Sequence, residues 1–83
     1  MSSIRVELPL TSNSKIVSKF NTIGDLKKAY PQIEFIKYIY VDPKDNVMKG
    51  ANPPNNLPVV PNAYITIIGD TDDVIQFVKD ATG

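Results

Sequence analysis

The chain has 83 residues, nine basic and nine acidic side chains, and neither histidine nor cysteine. Without imidazole or thiol it lacks the commonest general base, the commonest strong nucleophile and the usual metal ligands. With 42% hydrophobic and 22% charged residues it has the composition of a folded globular chain rather than a disordered one.

A single domain over 1–83 is expected, held by its hydrophobic core alone. No run approaches the roughly 18 apolar residues of a membrane span, and the opening Met-Ser-Ser-Ile-Arg-Val has no apolar leader segment. A cytoplasmic protein is therefore expected, and the absence of cysteine suits a reducing compartment. The zero net charge is unevenly spread. Residues 1–49 carry eight Lys or Arg against five acids, whereas residues 50–83 carry Lys79 against Asp70, Asp72, Asp73 and Asp80. A chain with a basic and an acidic half is able to complement its own copies.

Ile4, Val6, Leu8 and Leu10 alternate with Ser3, Arg5, Glu7 and Pro9, which predicts a half-buried strand. Thr11-Ser12-Asn13-Ser14 reads as a turn. Ile16, Ser18 and Phe20 then alternate with Lys15, Val17 and Lys19, so a second strand and a hairpin are expected. Thr22 and Asp25 have the spacing of a capping box, and Ile23, Leu26, Ala29 or Tyr30, and Ile33 recur at helical spacing. This predicts a helix of about two turns, ended near Tyr30 by Pro31.

Glu34 to Val41 is β-branched and aromatic almost throughout and predicts a strand buried on much of both faces. Asp42-Pro43-Lys44-Asp45-Asn46 reads as a turn, and Val47-Met48-Lys49 as a short strand. Gly50 to Asn62, rich in proline and asparagine, predicts a loop pinned to the core by Leu57, Val59 and Val60. Ala63 to Ile68 predicts a central strand, broken by Gly69. The segment after Asp70-Thr71-Asp72-Asp73 predicts a helix of about two turns ending near Ala81.

The order strand, strand, helix, strand, short strand, loop, strand, helix resembles the ubiquitin-like β-grasp. The implied fold is α+β, with a mixed four- to five-stranded sheet packed by one crossover helix, plus a short C-terminal helix. Thr22-Ile23-Gly24-Asp25-Leu26-Lys27, the aromatic stretch Phe35 to Val41, and Asn56-Leu57-Pro58-Val59 leading into Tyr64 to Ile68 are similar to segments of DIX domains. The resemblance implies head-to-tail association of copies. The second strand, with Lys15, Val17 and Lys19, would pair with the short strand holding Val47 and Lys49. An edge strand does offer unpaired backbone groups to a partner strand. The opposing lysines and the C-terminal helix depart from the DIX pattern.

Other chemistry has simpler readings. Asp70, Asp72 and Asp73 suit a helix start better than a calcium loop, because the sixth and twelfth positions counted from Asp70 are Ile75 and Ala81. No glycine-rich phosphate loop is present, since Gly24, Gly50, Gly69 and Gly83 stand alone. Lys15, Lys19, Lys27, Lys28 and Lys37 near Tyr38 and Tyr40 suggest a basic patch, but nucleic-acid binding domains usually carry a more basic balance. The ending Lys79-Asp80-Ala81-Thr82-Gly83 lacks the paired glycines of a conjugated modifier.

The expectation is a non-enzymatic protein-interaction domain with no cofactor, no metal and no small-molecule substrate. Its partner would be itself or another protein, and the second reading is a small virus-encoded or stand-alone adaptor or inhibitor that docks on a cellular machine.

Overall fold

The computed structural model describes residues 3–41 and 47–83, with the backbone alone over 47–51. The chain is α+β. Strand β1 (Ser3–Pro9) leads into helices α1 (Lys15–Lys19) and α2 (Ile23–Ala29). Strands β2 (Glu34–Val41), β3 (Val47–Ala51) and β4 (Tyr64–Asp70) follow, then helix α3 (Thr71–Thr82). The strands form one sheet in the order β1-β4-β2-β3. The expected turn at Asp42 to Asn46 lies outside the described residues.

The second predicted strand is a helix. Ser14 caps α1, its side chain accepting from the Val17 backbone N–H at 3.2 Å, while the Phe20 N–H donates to the Ile16 carbonyl. Ile16 and Phe20 are two residues apart twice over, so a spacing that reads as strand alternation also fits one face of a helical turn. Burial of Ile16 and Ser14 settles the choice. The hairpin expected at residues 4–20 is therefore replaced by a strand and a helix, and the crossover from β1 to β2 holds two short helices instead of one.

The sheet is also not mixed: β1–β4, β4–β2 and β2–β3 are all antiparallel. β1 and β2 run the same way, but β4 inserts between them. The central position expected for the last strand is observed, yet Gly69 lies inside β4 instead of ending it. A Cβ there would stand 3.0 Å from Ile33 Cδ1, so glycine lets the segment after α2 close onto the sheet. β2 matches its expected span, with a register shift between Phe35 and Lys37, but its burial is mainly one-sided. The last helix spans twelve residues, more than the two turns expected.

All helices lie on one face of the sheet. Leu8, Ile65, Ile67, Phe35, Tyr38 and Tyr40 point to that face and meet Ile16, Ile23, Leu26, Val74, Phe77 and Ala81. Phe77 joins the layers, edge-on to Tyr30 at 5.0 Å and to Phe35 at 5.7 Å between ring centroids. The 52–63 loop closes the core from below. Leu57, Val59 and Val60 pack on it as expected, and the Tyr38 hydroxyl donates to the Pro58 carbonyl and accepts from the Val60 N–H.

Candidate interaction surface

The register that points Ile4, Val6 and Leu8 at the helices points Arg5 and Glu7 away from them. The same alternation puts Tyr64, Thr66 and Ile68 of β4, and Glu34, Lys37, Ile39 and Val41 of β2, on the second face. No described helix or loop covers that face. Tyr64 is 51% and Val41 64% exposed there, with Ile39 and Ile68 half-buried between them. Toward β1 the face turns polar: Arg5, Glu7, Lys37 and Thr66 line a hollow of about 410 Å³. Thr66 at its floor is only 4% exposed and its hydroxyl reaches Glu7 Oε2 at 3.5 Å.

Two hollows among the described residues are unsuited to a small molecule. The one over Thr66 is lined by polar side chains only, unlike the mainly apolar pockets that hold such ligands. The second, of about 120 Å³ between Tyr30, Gln32, Asp73 and Gln76, falls below the usual size of such pockets. Among the described residues, no group of three or more acidic side chains is placed to hold a metal ion. Asp70 occupies the N-cap position of α3, and Asp72 and Asp73 its first turn.

The ends of the strand order are β1 and β3, neither of which has a described strand on its outer side. On β1 the direction of the free groups follows from one bonded pair. The Leu10 N–H donates to the Ala63 carbonyl at 2.8 Å, and the Asn62 N–H donates to the Leu10 carbonyl at 2.7 Å. Counting back in twos, Leu8, Val6 and Ile4 bond toward β4, which leaves the groups of Ser3, Arg5, Glu7 and Pro9 pointing outward. Pro9 has no N–H to present, as suits an edge. Ile4 and Val6 are only half-buried, and no described strand flanks them on that side.

The residues expected to meet between successive copies lie on different elements of the chain, and the first set is not on a strand edge. Lys15, Val17 and Lys19 lie on α1, which packs against α3. Lys15 and Lys19 are exposed, Lys19 lying 5.7 Å from the centre of the Phe20 ring, and Val17 packs against the core. Val47 and Lys49 lie on β3, beyond β2 at the opposite end of the strand order from β1. The basic patch is likewise dispersed. Tyr38 and Tyr40 are buried on the helix side, Lys27 Nζ donates to the Pro53 carbonyl at 2.8 Å, and Lys37 stands on the open face.

Two tyrosines have displaced ionisation. Burial, reinforced by the hydrogen bond and negative charge of Asp80, pushes the Tyr30 hydroxyl well above its ordinary range; its oxygen lies 2.7 Å from Asp80 Oδ2. Burial also raises Tyr38, opposed in part by the hydrogen bond from Val60. Both groups are neutral anchors rather than acids or bases at neutral pH.

The β1 edge and the open face were legible in part. The alternation of residues 3–10 marks which side chains face out, but an edge position depends on strand order. No helix among the described residues is long and apolar enough to cross a membrane. Compared with known proteins, the chain matches no family model, no curated protein and no solved structure.

Proposed function

We propose that this chain is a non-enzymatic protein-interaction domain that docks through the β1 edge and the adjoining open sheet face. The observation that carries the reading is the outward row of unpaired backbone groups on β1, flanked by half-exposed Ile4 and Val6. A strand added to such an edge satisfies those groups, and side chains on alternate positions give specificity. The resemblance to DIX domains supports association through a strand edge. The place it implied does not carry over, because residues 15–19 are helical.

A photo-crosslinking residue in place of Glu7 tests the proposal, with the same residue in place of exposed Lys28 on α2 as the control. In cells, adducts with protein are expected from position 7 and not from position 28. Equal yields at both positions, or none at position 7, would remove the β1 edge as the docking site. The adduct mass separates a second copy from a different protein, which is the adaptor or inhibitor reading.

A further inference from the structure

We propose that the partner of the β1 edge is a second copy of this chain, joined through an antiparallel, two-fold β1–β1 seam centred on Val6. The inference rests on the edge-docking reading above and adds the partner and the register. The carrier is the self-complementarity of Ser3-Ile4-Arg5-Val6-Glu7-Leu8-Pro9. With Val6 opposite Val6 of the second copy, Arg5 stands directly opposite Glu7, and Glu7 opposite Arg5. Both pairs lie on the open face, within cross-strand reach.

Other registers are worse. Sliding the seam by two residues in one direction sets Arg5 against Arg5; in the other it sets Glu7 against Glu7. A slide by one residue turns the apolar side of one strand toward the polar side of the other. In the favoured register the outward groups of Ser3, Arg5, Glu7 and Pro9 form about six backbone hydrogen bonds, and only the missing N–H of Pro9 leaves gaps. With no net charge on the chain, overall repulsion between copies is absent.

The helix layer points to the same seam. α3 runs alongside β1: Asp70 pairs with Ser3, and at the other end the Thr11 N–H donates to the Ala81 carbonyl. Phe77 and Asp80 meet Tyr30, so that flank of α3 faces α2 and β2. Helical spacing then puts Thr71, Ile75, Val78 and Thr82 on the flank toward the free edge. Ile75 is 45% exposed and Val78 half-buried where it packs on the core, an uncharged stripe on the flank of α3 away from Tyr30.

α3 packs on both β1 and β4. With strands about 4.8 Å apart, the two-fold sets the two α3 axes about 10 Å apart, at the upper end of ordinary helix packing. Ile75 and Val78 of each copy would then cover one another, together with Ile4 and Val6. The product is a closed dimer with one continuous sheet, because a two-fold contact does not propagate.

Sedimentation velocity of the full chain over a wide concentration range tests this. A monomer–dimer equilibrium is expected. Arg5→Glu and Glu7→Arg should each weaken it about tenfold or more, the double exchange should recover it, and an equimolar mixture of the two single variants should form a heterodimer. Circular dichroism verifies that each variant is folded. In this cysteine-free chain, Val6→Cys should give a disulfide-linked dimer on mild oxidation, since central residues of such a pair sit close together.

A wild type that is monomeric throughout, or a dimer indifferent to the single exchanges, overturns the seam. If the wild type is monomeric while the crosslinker at position 7 still captures a different protein, edge docking stands and the two-fold partner falls.

Discussion

Tyr38 carries two jobs with one side chain. Its ring fills the core beside Tyr40, and its hydroxyl closes the 52–63 loop by bonding Pro58 and Val60. Tyr38→Phe keeps the ring but leaves a part-buried carbonyl and N–H without that partner. It should cost about 1–3 kcal/mol, read as a lower urea midpoint with an unchanged slope. Tyr30 makes the analogous tie between α2 and α3 through Asp80. Its hydroxyl ionises at higher pH in the folded chain than in the unfolded chain, where the value is near 10. The stabilisation is thus complete below about pH 10 and is lost as pH rises beyond it. Urea midpoints between pH 8 and 11 should fall for the wild type, and fall less for Tyr30→Phe; parallel curves would remove Tyr30 as the source.

Helix α2 shows what a local signal fixes. Thr22 accepts from the Asp25 N–H at 3.3 Å, and Asp25 Oδ2 accepts from the Thr22 N–H at 3.2 Å, the reciprocal pair that the spacing predicts. Thr22→Ala should cost about 1 kcal/mol, measured by thermal or urea unfolding. Gly24, beside this cap, is held by the loop: a Cβ would lie 3.0 Å from the Asn55 Cβ and 3.1 Å from its carbonyl oxygen. Gly24→Ala should push the 52–57 segment outward, seen as faster amide exchange of the Gly24 and Ile23 N–H groups bonded to Asn55 and Leu57. Helix α1 shows the opposite case. Lys15 to Phe20 satisfies two periods over too few residues to separate them, and Ser14, whose side chain accepts the capping hydrogen bond, reads in sequence as one more turn residue.

At the scale of the molecule, the helices occupy one face of the sheet, which leaves Tyr64, Val41, Arg5 and Glu7 on the other. A seam held by two exposed ion pairs and buried aliphatic side chains should weaken only modestly with salt, because the aliphatic part is not screened. Raising the ionic strength from 0.05 to 0.5 M should shift the dimer dissociation constant by about threefold, far less than either single charge exchange. Sedimentation equilibrium in both buffers measures this. A loss of assembly at high salt would make the contact mainly electrostatic and remove Ile75 and Val78 from it.

What the chain of residues determined by itself is local and one-dimensional. The alternation of residues 3–10 set β1 and its two sides, the Thr22–Asp25 spacing set the start of α2, the aromatic run set β2, and Leu57, Val59 and Val60 marked where the loop returns to the core. The apolar density of Ala63 to Ile68 marked β4 as central, but which strands flank it was not accessible in that way, because pairing joins residues far apart whose side-chain patterns fit several neighbours. Only the tertiary structure placed β4 between β1 and β2, turned residues 15–19 into a helix against α3, and left β1 at the edge. The physical reason is the same in each case. Burial of Ile16, Ile65 and Ile67 is decided by the whole core at once, and the outward row on β1 is free only because nothing else in the sheet has taken that side.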